Sequence, residues 1–375
     1  MKNTAVEDFT RIREINVMRL KEGKEAGLKV VGKYCTYCPD ELIIAAGAIP
    51  VGLCGTKEDP IAAAEEHLPR NLCPLIKSSY GFAISDTCPF FHFSNLIVGE
   101  TTCDGKKKMF EIMQEIKPVH VMQLPYRQHT EEAFALWLEE MRLLRKRIEE
   151  EFDVSISDDN IWKAIELMNR ENELAQAIAD LNQADPPVMS GIELLTVLWS
   201  RGFNIDKNEV ISMLSSLLAE LKNKDPLKPG RPRVLLTGCP VGIGTEKIIT
   251  LVEDGGGTVV ALENCTGYKT LSLRALREQE DPLVALAQKY LQIPCSCMSP
   301  NDDRLTLLEN MLRDFSADAV IDLTWQACHT YNIESYTIAN LVKQKQIPFL
   351  QLETDYSTSD LESLKVRIEA LLEMV

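Results

Sequence analysis

The sequence predicts an α/β protein made of two parallel-sheet lobes with a helical segment between them. Short apolar strands alternate with amphipathic helices in residues 28–129 and again in residues 229–375, and this alternation is typical of parallel sheets covered by helices. Residues 130–228 instead show the longer periodicity of helices. A chain of 375 residues also exceeds what one ordinary core holds. We therefore expect two Rossmann-like lobes.

The first lobe follows a leading amphipathic helix, which is predicted over residues 1–27. Four apolar stretches are predicted as its strands: LKVVGKYC, AIPVGLCG, LIVGE and PVHVMQLP. The stretches between them have helical patterns: ELIIAAG, IAAAEEHL, CPLIKSSYGFAIS and KKKMFEIMQEI. The order predicts a parallel sheet over residues 28–129.

The helical segment over residues 130–228 contains four predicted helices. In the first, Phe134, Leu138 and Met141 recur on one face, and such a stripe is most simply a core-facing surface. Asp185-Pro186-Pro187 ends the second helix. The Pro- and Lys-rich stretch KDPLKPGRPR reads as the linker to the next lobe.

The second lobe covers residues 229–375 and repeats the alternation of the first. Its predicted strands are RVLLTG, TVVALEN, AVIDL and IPFLQLET, and its predicted helices are GTEKIITLVEDGGG, RLTLLENMLRDF, SYTIANLVKQK and the terminal LESLKVRIEALLEMV. LIVGETTCDGKK and VVALENCTGYK share a strand, Glu, Cys, Gly and Lys in nearly the same order. This similarity puts Cys103 and Cys265 at equivalent strand ends.

Composition narrows the function classes. The net charge of −16 provides no basic field for phosphates, so we expect no nucleic-acid partner. The near-apolar run 42–55 is too short to span a bilayer, and the N-terminal residues lack a secretory pattern. We therefore expect no membrane association and a cytoplasmic location. Because the cytoplasm keeps thiols reduced, we do not expect the eleven cysteines to form a disulfide framework. Their odd number also forbids complete pairing within the chain.

Cysteines recur at predicted strand ends, where α/β proteins bind ligands. Gathered thiolates suggest a soft metal site, with iron–sulfur as the leading candidate. Cys35 and Cys38 form a CxxC, which suits either a redox dithiol or two ligands of one metal. The other strand-end cysteines favour the metal, although free cysteines are also common as buried packing residues.

Several cysteines are predicted at helix starts. Cys73 and Cys239 each precede a proline, which would put both thiols at helix N-termini, where the dipole favours a thiolate. Cys328 precedes His329, but no third member of a nucleophilic triad is evident. Cys295 and Cys297 form a CxC that we expect to follow a short strand.

Two further patterns leave the chemistry open. The stretch GCPVGIG lacks both the dinucleotide fingerprint and the GK[ST] of a P-loop, so no nucleotide is expected in this chain. Glu100, Lys269 and His329 lie beside candidate ligands, but the sequence identifies no catalytic residue.

The sequence resembles the family of 2-hydroxyacyl-CoA dehydratases and benzoyl-CoA reductases over nearly its whole length. The most specific stretches are PDELIIAAGAIPVGLCG, LPRNLCPLIKSSYGFA, VGETTCDGKKKMFE, ENCTGYK and WQACH. The resemblance implies a [4Fe–4S] cluster between the lobes. The same resemblance implies that Cys73, Cys103 and Cys328 hold this cluster.

Additional cysteines give the chain a similarity to one branch of that family, the double-cubane cluster proteins. That branch implies two sulfide-bridged [4Fe–4S] units held by six cysteines of a homodimer subunit. We expect the six to be Cys38, Cys73, Cys103, Cys239, Cys265 and Cys328. Cys35, Cys54 and Cys295 are substitutes for the second unit.

The branch also implies a function and a partner. The chain would be a reductase component that takes low-potential electrons from an ATP-hydrolysing [4Fe–4S] activator and reduces a small unsaturated molecule. One alternative is the [4Fe–4S] subunit of a 2-hydroxyacyl-CoA dehydratase, a lyase. Others are an electron-transfer protein without substrate turnover, and a protein with only a CxxC dithiol. The physiological substrate stays open.

Overall fold

The computed structural model describes residues 5–278 and 280–375. Its first sheet has four parallel strands in the order β2-β1-β3-β4. Its second sheet is also parallel and four-stranded, in the order β6-β5-β7-β8. The strands are β1 (Val30–Lys33), β2 (Ile49–Gly52), β3 (Leu96–Glu100), β4 (Val119–Met122), β5 (Arg233–Gly238), β6 (Thr258–Glu263), β7 (Ala319–Trp325) and β8 (Phe349–Thr354). Two parallel-sheet lobes are thus confirmed.

Four of the strands are completely buried, because helices cover both faces of each sheet. Every residue of β3, β5, β6 and β7 is buried, which explains why these strands read as continuous apolar runs rather than alternating ones. The strand order of both sheets places β1 and β3, or β5 and β7, side by side at the centre. The carboxyl ends of these pairs therefore present neighbouring loops.

Sixteen α-helices occur in the described part of the chain. In order they are α1 (Ala5–Glu25), α2 (Asp40–Ala45), α3 (Ile61–Ala64), α4 (Pro74–Ile84), α5 (Pro89–Phe93), α6 (Asp104–Met113), α7 (Glu131–Phe152), α8 (Asp158–Asp180), α9 (Gly191–Ser200), α10 (Lys207–Leu221), α11 (Lys247–Asp254), α12 (Tyr268–Leu271), α13 (Pro282–Leu291), α14 (Asp302–Asp314), α15 (His329–Gln344) and α16 (Leu361–Leu372). The leading helix predicted over residues 1–27 is α1, and residues 1–4 of that prediction lie outside the described residues.

The helical segment consists of α7–α10, as the periodicity predicts. Its helices begin at side-chain caps: Thr130, Ser157 and Asp206 accept hydrogen bonds from the first turns of α7, α8 and α10. Ser190 and Glu193 form a full capping box at α9. These caps start each helix at a defined residue. The connections between the four helices are short, and the helices pack against elements of both lobes.

Two local predictions in the second lobe are wrong. The CxC of Cys295 and Cys297 follows helix α13 and not a strand. Cys239-Pro240 does not begin a helix, because the loop 240–246 intervenes before α11. The carbonyl of Pro240 instead accepts a hydrogen bond from Trp325 Nε1 at 2.9 Å.

The core has two apolar clusters. The larger one joins both sheets to α9 and α10. The smaller one packs α2 and α7 against α13, so a helix from the second-lobe sequence completes the core beside the first sheet. Across the described residues, no helix combines the length and apolarity needed to cross a bilayer.

Candidate cofactor site

One large cavity of about 680 Å³ lies between the two lobes and the helical segment. Nine of the eleven cysteines line it. Six of them follow the carboxyl ends of strands: Cys35 after β1, Cys54 after β2, Cys103 after β3, Cys239 after β5, Cys265 after β6 and Cys328 after β7. The edge that binds ligands in α/β proteins therefore carries thiols from both sheets.

Three of these thiols converge closely. The Cys328 thiolate accepts hydrogen bonds from the thiols of Cys239 and Cys73, which lowers the pKa of Cys328 well below its usual value. The same interaction raises the pKa of Cys73, and burial with the neighbouring Cys328 raises that of Cys239. Cys73 and Cys328 are the N-caps of α4 and α15, so helix dipoles favour negative charge on two of the three sulfurs.

A second group of thiols surrounds the ammonium of Lys106. The pKa of Lys106 is raised overall. Burial alone would lower it, but the nearby negative charges of Cys35 and Cys54 have the larger combined effect. Cys103 is the N-cap of α6, and its Sγ accepts from the Lys106 backbone N–H at 3.4 Å. Cys265 feels the Lys106 charge too, although burial raises the pKa of its thiol to about 11. The positive charge of Lys106 therefore favours the thiolate form of several neighbouring cysteines.

The CxC lies on the same cavity wall. Cys297 donates a hydrogen bond to Cys295, which lowers the pKa of Cys295 to about 6. Cys297 Sγ also lies 4.0 Å from the Tyr37 hydroxyl. Cys295 and Cys297 are therefore hydrogen-bonded to each other. Cys54, another cavity cysteine, donates a hydrogen bond to the Tyr34 carbonyl at 2.9 Å.

Cys38 and Cys88 do not line the cavity. Cys38 is 1 % exposed and lies in the smaller apolar cluster with Leu42 and Trp137. Its CxxC partner Cys35 faces the cavity instead and feels the charges of Cys265 and Cys295. Of the six cysteines expected from the sequence, the structure brings together all but Cys38.

The residues present fit an iron–sulfur cluster. No three His, Cys, Asp or Glu side chains among residues 5–278 and 280–375 gather tightly enough for a single metal ion. A cluster spreads its thiolates more widely, because iron and sulfide lie between them. Nine thiols around one cavity, with buried Lys106 and Lys269 beside them, supply the sulfur ligands and the positive charge that such a cluster requires.

Comparison with known proteins gives the family. Residues 35–375 match the family model described as 2-hydroxyglutaryl-CoA dehydratase, D-component. The chain belongs to this dehydratase family. The resemblance predicted from the sequence is therefore confirmed.

Individual relatives span the same length. A protein of Escherichia coli K12, provisionally named dehydratase subunit YjiM, is 47% identical over 374 residues, which cover 98% of this chain and 97% of that protein. The (R)-phenyllactyl-CoA dehydratase beta subunit of Clostridium sporogenes is 22% identical, with 94% of each chain covered. A benzoyl-CoA reductase subunit of Thauera aromatica is 20% identical, with 94% of this chain and 92% of that protein covered. Both dehydratase and reductase subunits are therefore relatives of this family member.

The three residues that the sequence places beside candidate ligands differ in their surroundings. Glu100 is fully buried at the end of β3, and neither carboxylate oxygen has a partner in the described part of the chain. Burial raises its pKa to about 7, against the opposing effect of Lys106 and Lys33. Lys269 is also buried, and donates to the Tyr331 hydroxyl while facing Glu263. His329 is exposed at the start of α15.

The opposite wall of the cavity comes from the helical segment, which the sequence pattern assigns only to the core. Arg201 and Lys207 both line the cavity and both pair with the buried Glu171 at 3.0 Å. The sequence signal for this wall is Arg201, a cation that directly follows the apolar run of α9 in ELLTVLWSR. Periodicity alone could not show that this end of α9 faces a cavity.

The glycine-rich loop 238–244 is used for close packing. Gly238 has a φ of +109°, and a Cβ there would lie 2.2 Å from the Leu323 carbonyl oxygen. A Cβ on Gly242 would lie 2.3 Å from Trp199 Nε1. The glycines therefore let this loop approach β7 and the helical segment, which brings Cys239 against Cys328.

Proposed function

We propose that this chain holds a double-cubane iron–sulfur cluster in the cavity between its lobes. The observation that supports this is that the cavity contains two separate groups of thiols, each of which offers three ligands. One group is Cys73, Cys239 and Cys328, and the other is Cys35, Cys103 and Cys265. Cys54 lies beside the second group, but its thiol donates to the Tyr34 carbonyl. Six thiolates are the number that two [4Fe–4S] units sharing one sulfide require.

This proposal changes one ligand from the sequence expectation. Cys35 replaces Cys38, because Cys35 lines the cavity while Cys38 lies in the apolar core. It also groups the ligands differently, since Cys328 interacts with Cys239 and Cys73 rather than with Cys103. Cys54 and Cys295 stay as the alternative ligands, because both line the cavity.

The surrounding residues would tune and orient the bound group. A double-cubane cluster supplies electrons at low potential when it is bound. Lys106 and Lys269 put positive charge beside the thiolates and so favour negative charge on them. The apolar side chains of Ile76, Leu75 and Ile293 line the same cavity and limit access of water. The helix N-termini at Cys73, Cys103 and Cys328 fix three thiol positions.

Within this proposal the chain is an ATP-dependent reductase component. A separate ATP-hydrolysing [4Fe–4S] activator delivers the electrons, and two copies of this chain form a homodimer in the cytoplasm. The substrate is a small unsaturated molecule, and its reduction would require two electrons that originate from the activator and two protons from water. The relative named as a benzoyl-CoA reductase subunit supports a reductive reaction.

Iron and acid-labile sulfide analysis of anaerobically purified protein tests this proposal. We expect about eight irons per chain for two cubanes, and reduction of a small unsaturated substrate by a single subunit type with its activator. A content of about four irons per chain contradicts the double-cubane assignment.

A second candidate is the [4Fe–4S] subunit of a 2-hydroxyacyl-CoA dehydratase. The observation in its favour is that three relatives are named as beta subunits of acyl-CoA dehydratases. It predicts about four irons per chain, a second non-identical subunit and binding of a CoA thioester. Co-purification of a different subunit in stoichiometric amount supports this candidate.

A further inference from the structure

The wall of the cavity that the helical segment supplies has the properties of an anion-binding site. We propose that Arg201 is the centre of a subsite that binds the carboxylate of a short-chain, largely apolar organic acid. Its Nη1 donates to Glu171 Oε1 at 3.0 Å and to Asn172 Oδ1 at 2.9 Å. Its Nε and Nη2 have no hydrogen-bond partner in the described ranges, although its side chain is only 13% exposed.

These unused donors are available to a ligand. Nε and Nη2 of an arginine present parallel N–H groups that match the two oxygens of a carboxylate. Neither atom is fully buried, and Arg201 lines the cavity. A ligand in the cavity can therefore reach both donors. The orientation is fixed because Nη1 is held by Glu171 and Asn172, of which Glu171 is 1% exposed.

The local charge balance also favours an anion. Three sets of ion pairs in this region together contain four cations and three carboxylates: Lys33 with Asp40, Lys289 with Glu41, and Arg201 and Lys207 with Glu171. The charges of Lys207 and Lys289 also act on Asp40, which connects the three sets into one network. One positive charge within this network has no carboxylate of its own, and an uncompensated buried charge is costly. A bound carboxylate would remove that imbalance.

This positive charge is separate from the charge beside the thiols. Lys106 and Lys269 interact with Cys35, Cys265 and Cys295, and Lys33 interacts with Cys54. Arg201 and Lys207 pair instead with Glu171 on α8. The cations of the helical wall therefore lie in a different part of the cavity from the proposed cofactor ligands.

The surroundings of Arg201 set the size and polarity of the ligand. Met168, Leu198 and Phe203 line the cavity on the same wall, and they suit a short hydrocarbon body. A Cβ on Gly202 would meet no atom within 4 Å, so open space lies directly beside Arg201. The apolar neighbours disfavour phosphate, which has no apolar part.

The subsite rests on the proposed function, since it names the class of small molecule that the reductase would take. Isothermal titration calorimetry of the anaerobically purified, iron-loaded protein with crotonate tests it. Crotonamide is the matched ligand, because it keeps the shape and the double bond but lacks the charge. We expect crotonate to bind at least tenfold more tightly than crotonamide, and inorganic phosphate not to compete.

Three variants locate the site. Arg201→Gln should weaken crotonate binding at least tenfold, and Gly202→Leu should weaken it by filling the open space without changing any charge. Arg19→Gln is the matched control, because Arg19 pairs with Glu209 at the surface and should leave binding unchanged. If Arg201→Gln fails to fold, Gly202→Leu still tests the position.

The outcomes separate this inference from the proposed function. Equal binding of crotonate and crotonamide, unchanged binding in both cavity variants, or no binding by the wild-type protein overturns the carboxylate subsite. Iron content is measured on the same samples. Full iron with no crotonate binding contradicts only the subsite, while low iron with retained, Arg201-dependent binding contradicts only the double-cubane cluster.

Discussion

The two cysteines of the CxxC should behave differently when each is replaced. Cys35 lines the cavity, whereas Cys38 is 1% exposed and packs within the apolar cluster under α2 and α7. Cys35→Ser should therefore lose one cubane and reduce the iron content from about eight to about four per chain. Cys38→Ser should retain all of its iron.

The effect of Cys38→Ser should appear in stability instead. A serine hydroxyl at this buried position has to leave water, which costs about 1–3 kcal/mol when the hydroxyl finds no partner. Cys38→Ala removes the same sulfur without adding a polar group, so it should be less destabilising than Cys38→Ser. Urea unfolding monitored by circular dichroism measures this difference, and the order of the two variants is itself a test of the apolar surroundings.

Iron and sulfide analysis of the three variants, purified together with wild type under anaerobic conditions, decides the ligand. Loss of about half the iron in both Cys38 variants, with full iron in Cys35→Ser, would refute the assignment of Cys35. Loss of iron in none of the three would instead direct attention to Cys295, whose thiol lies on the same wall.

Three other variants test the buried charges and close contacts around the site. Lys289→Met should reduce the free energy of unfolding by about 3–5 kcal/mol, because it leaves Glu41 buried without its partner at 2.6 Å. Gly81→Ala should destabilise by about 1–3 kcal/mol, because its Cβ would lie 1.9 Å from the Pro60 carbonyl oxygen. Burial lowers the pKa of His120 to about 4, so the unfolded chain binds a proton below pH ~6.5 that the folded chain refuses until pH falls further. Stability should fall as pH decreases through this window, and His120→Asn should lessen the fall in urea titrations at neutral and acidic pH.

The exposed pair of Lys345 and Glu309 provides a control for the buried one. Both side chains are about half exposed, so Lys345→Met should change the free energy of unfolding by less than about 1 kcal/mol. Equal losses in Lys345→Met and Lys289→Met would contradict the distinction between buried and exposed ion pairs. Identical pH dependence of wild type and His120→Asn would contradict the role given to His120.

Much of the fold could be predicted from the sequence because its signals are local. All eight strands were predictable as mainly apolar runs, and β3, β5 and β7 have no exposed positions because helices cover both of their faces. Helices α7–α10 were predictable from periodicity, and their caps are short side chains next to the first turn. The helices α5 and α12 have only five and four residues and were missed, whereas the four-residue α3 was predicted because it lies within the longer helical pattern IAAAEEHL. Helix α13 was missed too, although Asp281 as its cap and Pro282 at its first position are a local start signal.

The cysteine positions illustrate where local signals stop. Strand ends are local features, so the placement of Cys103, Cys239 and Cys328 at the carboxyl ends of their strands could be predicted. Which member of the CxxC faces the cavity depends on the packing of α2 against α8, far along the chain. The position of Arg201 depends in the same way on how the helical segment closes over the lobes, and this arrangement leaves no pattern in a single sequence.

The two thiol groups also relate the cofactor to the architecture. Cys73 comes from the first lobe, while Cys239 and Cys328 come from the second; Cys35 and Cys103 come from the first lobe, while Cys265 comes from the second. Each proposed cubane would therefore bind ligands from both lobes, and neither lobe could hold one alone. Binding to the folded state alone stabilises that state, so the cofactor would hold the lobes together as well as carry electrons. The third side of the cavity, where Arg201 lies, belongs to the helical segment. Substrate binding there could change without disturbing the thiols, which gives a physical reason why one fold can serve relatives named for both dehydration and reduction.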